Sequence, residues 1–216
     1  MWPKMTLRDR TLIVDLGASR RVLSSAPFRG GLSYSRYLVN RTVPKDFCPP
    51  DLGGVVRADL EGLGLPPGVC VAHLTAVDVA AHAYAAAEEG GVRVQVWLTA
   101  GLGNLAAPGL SPLALSRPGT INVLAVLHAD LAEAAMVEAV QIVSEVKARC
   151  LRGRTTREGY PATGTSTDTV SVALLEGPKQ DYCGAVTPAG RALGRAVDGA
   201  LSAALLDAIP ATAEGL

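Results

Sequence analysis

Aromatic side chains are scarce in this chain, with two Phe, two Trp and five Tyr among 216 residues. A core with so few rings must be packed from aliphatic side chains and alanine, and the aromatic platforms of single-stranded nucleic-acid binders are hard to assemble. An excess of one charge is lacking too. Twenty Lys and Arg are cancelled by twenty Asp and Glu, so the basic footprint of a phosphate-backbone binder is missing and no nucleic-acid partner is expected. No apolar run approaches the roughly 20 residues of a membrane span, and Met1 to Arg10 is charged rather than signal-like, so no membrane partner is expected either. Cys48, Cys70, Cys150 and Cys183 form no Cys-x-x-Cys pair, which speaks against a zinc knuckle and for free thiols in a cytoplasmic protein. His73, His82 and His128 fall in no His-x-His or His-Glu-x-x-His spacing, so no metal site is expected. A Gly-x-Ser-x-Gly elbow is likewise absent. No Ser/Gly-rich linker divides the chain, and a single domain over 1–216 is the expectation.

Alternating apolar segments, by contrast, are plentiful. Thr11-Leu-Ile-Val-Asp-Leu16 and Arg21-Val-Leu-Ser24 predict two short strands around a turn at Gly17 to Arg20. Tyr34 to Val43, Val69 to Ala72 and Val92 to Leu98 predict further strands, the last with Val92, Val94, Val96 and Leu98 on one face. Val77 to Glu89 reads as a helical turn at Asp78 and then a strand near His82 to Glu88, before the Gly90-Gly91 turn. Thr120 to Leu127 predicts a buried strand. A helix N-capped by Asp130 follows to about Leu151, with the stripe Leu131, Ala135, Ala139, Ile142, Val146 and Cys150. Asp168 to Leu174 alternates again, and Thr187-Pro188 opens a final helix. That helix carries one stripe of Leu193, Val197, Leu201 and Leu205 and a second of Ala192, Ala196, Ala200 and Ala204. The alanine stripe permits close approach and is a candidate contact for a homodimer. This order predicts an α/β (α+β layered) fold, with a mixed, largely antiparallel sheet packed with two long C-terminal helices, and an αββα sandwich as its architecture.

Three polar turns adjoin the strands: Leu98-Thr-Ala-Gly-Leu-Gly-Asn104, Pro118-Gly-Thr-Ile-Asn122 and Ala162-Thr-Gly-Thr-Ser-Thr-Asp168. Their small residues expose backbone N–H groups and short polar side chains at strand mouths, which suits an uncharged polar ligand. Amide hydrolysis needs an activated nucleophile, an oxyanion stabiliser and an acid for the leaving amine. Asp168, at the junction of polar turn and apolar strand, is the candidate base for a water; its alternative role is to close an Asx-type turn. Thr163, Thr165, Ser166 and Thr167 are the alternative nucleophiles, forming an acyl-enzyme, while Asn104 and Asn122 offer carboxamide donors. Thr99, Gly101, Gly103, Thr120, Thr163, Gly164 and Ser166 would line the ligand site, joined by Ser24, Ser25, Gly30, Gly31 and Asn40. The glycines have the alternative of only permitting tight turns. Glu145 and Arg149, one helical turn apart, suit a surface ion pair, with a catalytic Glu145 in reserve.

These turns do not stand alone. With Leu23-Ser-Ser-Ala-Pro-Phe-Arg-Gly-Gly31, Leu38-Val-Asn-Arg-Thr-Val43, Leu74-Thr-Ala-Val-Asp-Val79, Glu145-Val-Lys-Ala148 and Tyr182-Cys-Gly-Ala-Val-Thr-Pro-Ala-Gly190, their order and spacing resemble the adenosylcobinamide amidohydrolase family. The resemblance implies hydrolysis of the amide that joins an aminopropanol arm to a corrinoid, giving adenosylcobyric acid and 1-aminopropan-2-ol in vitamin B12 salvage. The corrinoid would then be a substrate and not a resident cofactor. Two departures are visible: Ser166 replaces the second glycine of the family's Thr-Gly-Thr-Gly-Thr-Asp pattern, and Val186 stands where a polar residue is expected. The alternatives are an amidohydrolase or aminopeptidase-like enzyme for another amide, and a corrinoid-binding module without catalysis.

Overall fold

The computed structural model describes residues 2–113 and 119–207, so Pro118 of the second polar turn lies outside the described residues. The elements are β1 (Lys4–Arg8), β2 (Thr11–Ser24), β3 (Gly31–Thr42), α1 (Leu52–Gly62), β4 (Cys70–Thr75), β5 (Ala83–Glu89), β6 (Val92–Ala100), β7 (Leu105–Ala106), β8 (Ile121–Leu131), α2 (Glu133–Cys150), β9 (Gly164–Thr165), β10 (Thr169–Gln180) and α3 (Pro188–Asp207). Eight strands form one sheet in the order β4-β3-β2-β10-β8-β6-β5, with β1 paired to β2 beside that path. The β8/β10 and β3/β4 pairs are parallel and the others antiparallel, matching the expected mixed, largely antiparallel sheet.

The sheet coils back on itself. Asn40 on β3 reaches Thr99 on β6, and His73 on β4 reaches Thr169 and Ser171 on β10, although two or three strands separate these pairs along the sheet. The β3/β4 end therefore faces the β10/β8/β6 part, and Leu38 and Val71 pack with Leu124, Val126 and Trp97 between them. On the outside, α1 covers β3 and β4 through Val56 and Leu60 against Val39, Cys70 and Ala72. On the far side, α2 and α3 cover Val94, Val96, Val123, Ala125 and Val172. The expected αββα layering is thus built from one continuous sheet. Because the middle of β8 is buried on both faces, Val123 to Leu127 reads as an unbroken apolar run, as a two-sided strand must.

A bulge makes the coiling possible. The Gly17 to Arg20 segment is not a turn between two strands: β2 continues through it, its register against β3 shifting between Asp15 and Arg20. Gly17 takes φ +78° and its N–H donates to Asp15 Oδ1 at 2.8 Å. A left-handed glycine absorbs the extra residues while both halves stay paired, and the local twist rises.

Helix ends show where the local rules held. Thr187 caps α3, its Oγ1 accepting from Gly190 N at 3.1 Å with Pro188 in the first turn. Asp130 does not cap α2. Pairing with β10 carries β8 on to Leu131, so the helix starts after Ala132, which gives no side-chain cap, and Asp130 meets Arg21 at 3.1 Å. The alanine stripe of α3 is consumed inside the protomer: Ala192, Ala196 and Ala200 are fully buried in the core that also holds the apolar faces of β5 and β6. A Cβ on Gly199 would stand 3.2 Å from Ala85 Cβ, so small residues let α3 lie close on β5 rather than meet a second copy.

Candidate active site

The turn from Gly164 to Asp168 joins β9 to β10 and is organised by one carboxylate. Asp168 Oδ1 accepts from Ile121 N at 2.8 Å and from the Thr165 hydroxyl, while Oδ2 accepts from Thr165 N at 3.0 Å and Lys147 Nζ at 2.6 Å. Four donors fill the four lone-pair directions of a carboxylate. Asp168 therefore does close the turn, but it also ties that turn to β8 and α2. Both members of the ion pair are largely withdrawn from solvent, with side-chain exposures of 8% for Asp168 and 14% for Lys147. Gly164 is required by this packing, since a Cβ there would come within 2.5 Å of Asp168 Oδ2 and 3.1 Å of Lys147 Nζ.

The other polar turns converge on the same place. Asn104 Nδ2 donates to Ser166 Oγ at 2.6 Å, and Leu105 and Ala106 pair with Thr165 and Gly164. Thr167 Oγ1 donates to Gly119 O at 3.0 Å, and Thr120 Oγ1 to Thr167 O at 2.8 Å. Gly119 has no room for a side chain: a Cβ would lie 2.4 Å from Asn104 Oδ1 and 2.9 Å from Gly101 O. Asn104 Oδ1 is buried, with no hydrogen-bond partner among the described residues. Beside the turn opens a surface recess of about 300 Å3 lined by Gly109, Ser111, Lys147, Thr163, Thr165 and Ser166.

Beneath the turns, between the two sheet layers, lies a buried polar chain. His73 is fully buried; its Nδ1 is 2.6 Å from Thr169 Oγ1 and its Nε2 is 2.6 Å from Ser171 Oγ. Ser171 Oγ is 2.7 Å from Ser24 Oγ, Thr169 Oγ1 donates to Asn122 Oδ1 at 2.7 Å, Asn122 Nδ2 to Asn40 Oδ1 at 2.9 Å, and Asn40 Nδ2 to Thr99 Oγ1 at 2.9 Å. Proton counting assigns a direction. Thr169 has one hydroxyl proton and gives it to Asn122, so Nδ1 of His73 must donate to Thr169 and Nε2 must accept from Ser171. Ser24 then donates to Ser171, and Val170 O loses nothing because Ser25 N already reaches it at 2.9 Å. Burial holds the imidazole neutral by lowering its pKa from 6.5 to about 3.

The residues expected to meet a ligand thus divide. Thr163, Gly164, Thr165 and Ser166 lie at the recess, with Asn104 and Thr167 bonded to its turns. Asn122, expected as a catalytic donor, is fully buried, and its amide spends Oδ1 on Thr169 and Nδ2 on Asn40 and Leu74 O, with Thr120 Oγ1 3.0 Å from the same Oδ1. It organises the site from below. Ser24, Asn40 and Thr99 belong to the same buried chain, and Thr120 joins it to the turns. Ser25 Oγ accepts from Val170 N at 3.0 Å, docking its loop on the start of β10. Gly30 and Gly31 serve that loop's path: a Cβ on Gly30 would stand 2.4 Å from Ala26 O, and Gly31 takes φ +87°. Gly101 and Gly103 pack backbone to backbone on Gly119. Glu145 is exposed and does not pair with Arg149, which takes Asp198 at 2.7 Å. Val186 is 88% exposed in the loop before α3. Two functional residues escaped the sequence reading. Lys147 continues the buried line Ala139, Val143 on α2 at intervals of four, a place where a lysine needs a partner. His73 carried a weaker signal, one polar residue on the inward face of a buried strand.

Comparison with known proteins now adds an independent finding. The family model described as adenosylcobinamide amidohydrolase, CbiZ, matches residues 3–213. The chain is 29% identical over 209 residues to a protein of Methanosarcina mazei named adenosylcobinamide amidohydrolase, covering 92% of this chain and 96% of that one. It is 31% identical over 208 residues to a protein of the same name from Halobacterium salinarum, covering 93% of this chain and 86% of that one.

Proposed function

Because the chain belongs to the adenosylcobinamide amidohydrolase family, we propose that it hydrolyses the amide joining the aminopropanol arm to adenosylcobinamide, releasing adenosylcobyric acid and 1-aminopropan-2-ol in corrinoid salvage. The observation that carries the site assignment is a recess walled by Thr165 and Lys147 over Asp168, its Thr163 to Ser166 turn held by hydrogen bonds from the other two polar turns. A recess of about 300 Å3 takes the arm and its amide, while a corrin ring is too broad to enter and stays outside. Uncharged hydroxyls and amides around the turns suit a ligand edged with carboxamides. Asn104, Thr163 and Ser166 are assigned to binding the arm, and Lys147 to the carbonyl oxygen as negative charge develops on it.

The corrinoid enters as substrate, and the reaction is placed in the cytoplasm, where four unpaired cysteines remain reduced. No described helix is long and apolar enough to cross a membrane, and the balanced charge favours a small neutral partner over nucleic acid. Part of the outer wall for the ring is assigned to a second copy of the chain; light scattering should return a dimer mass, and a monomer would refute that assignment. The deciding experiment incubates the purified protein with adenosylcobinamide and follows both products by mass spectrometry. Their joint appearance is expected. Intact corrinoid, retained by the protein or not, would refute hydrolysis of this amide.

A further inference from the structure

Resting on the hydrolase reading above, the geometry points to Thr165 as a covalent nucleophile and to an acyl-transfer centre that delivers the corrinoid acyl group to small primary amines as well as to water. All four lone-pair directions of Asp168 are occupied, so a free water has no place at this carboxylate in the resting site. Of its four donors, two are backbone amides and one is an ammonium. Only the Thr165 hydroxyl combines a proton already directed at Asp168 Oδ1 with an oxygen able to attack a carbonyl, and Thr165 lines the recess. Lys147 occupies Oδ2 and fixes the carboxylate plane, which keeps Oδ1 turned to that hydroxyl.

The steps balance on these groups. Thr165 Oγ1 bonds to the carbonyl carbon and passes its proton to Asp168 Oδ1. The tetrahedral oxyanion forms beside the Lys147 ammonium, then collapses with cleavage of the C–N bond. Asp168 returns the proton to the departing nitrogen, so free 1-aminopropan-2-ol leaves and an ester remains on Thr165. Esterification removes the donor from Oδ1 and vacates one lone pair. Water takes that place, gives a proton to Asp168 and attacks the ester; the proton then returns to Thr165 as the carboxylic acid departs. Asp168 thus serves a water only in the second half-reaction. An amine arriving at that moment attacks the same ester and forms a new amide, with the proton following the same route.

Hydroxylamine is the probe. Adenosylcobinamide is turned over with and without it, the corrinoid products are weighed by mass spectrometry, and acid-quenched enzyme is digested to weigh the peptide that carries Thr165. The expected result is a corrinoid hydroxamate replacing part of the free acid, a Thr165 peptide heavier by the corrinoid acyl group, and retained turnover in Thr165→Ser. Thr165→Val, folded by its melting curve, should lose both products by at least about 100-fold. Normal hydrolysis with an unmodified peptide and an active Thr165→Val would overturn the covalent route and leave the hydrolase reading standing. Failure of the wild-type protein to release aminopropanol would overturn both.

Discussion

Acid should unlock this protein through His73. The imidazole is fully buried and its hydrogen-bond partners are the neutral hydroxyls of Thr169 and Ser171. Burial holds its pKa at about 3 against an ordinary 6.5. The unfolded chain takes up the proton near the ordinary value and the folded chain near the depressed one, so between them the unfolded state binds more protons. Stability is then complete above the unfolded value and lost as pH falls. From about pH 7 to about pH 5 this single group costs about 2 kcal/mol, rising to about 4 kcal/mol near pH 3. Against a total of about 5–15 kcal/mol, such a loss is large. His128 is lowered too, first by burial and then by Arg93, and adds with the same sign. Asp15 and Asp198 are held below the ordinary carboxylate value by hydrogen bonds from Arg36 and Arg149, so they do not contribute between about pH 7 and about pH 5. Urea unfolding followed by tryptophan fluorescence at several pH values measures the effect, with His73→Gln and His128→Gln as comparisons. Wild type and His128→Gln should lose stability steeply between about pH 7 and about pH 5, and His73→Gln should lose distinctly less, keeping only the slope that His128 contributes. Parallel curves for wild type and His73→Gln would refute the buried neutral imidazole.

Three further outcomes follow from named contacts. Lys147→Met strands the Asp168 carboxylate and should cost about 3 kcal/mol in urea unfolding, while adding Asp168→Asn should recover part of that loss, because a buried charge without its partner is worse than none. Gly164→Ala should fold yet turn over adenosylcobinamide at least about 100-fold more slowly, since its Cβ displaces the Lys147 and Asp168 pair from working geometry; full turnover in a product assay would contradict the site. Thr187→Ala removes the cap of α3 and should lower stability by about 1 kcal/mol with activity unchanged, as chemical unfolding beside the same assay would show.

Much of the fold was legible because local rules and tertiary packing agreed. Val92 to Leu98 alternates, and its even-numbered residues Val94 and Val96 do face the helices. The Asp78 turn and the strand after it appear where expected, with Asp78 Oδ1 accepting from Ala80 N at 3.0 Å. Where the reading failed, a distant partner had decided. Pairing with β10 prolonged β8 and moved the start of α2 past Asp130. Pairing with β3 kept β2 continuous through Gly17. The α3 alanines looked like a surface for another subunit because nothing local says which face of a helix meets its own sheet.

The sequence by itself determined the strands and helices through the period of their apolar residues, the tight turns through Gly, Thr and Asn, and the family through the order of those turns. It could also nominate Thr165 and Asp168 as neighbours, since only two residues of one turn lie between them. What only the tertiary structure decided was which groups are spent and which are open. Whether Asn122 faces a ligand or a neighbouring strand depends on how the sheet coils, and the coil buries it. Whether Asp168 has a vacant lone pair depends on Lys147 and Ile121, which arrive from a helix and a strand far along the chain. Hydrogen-bond capacity is fixed by residue type, but its use is settled only when packing brings donors and acceptors within reach.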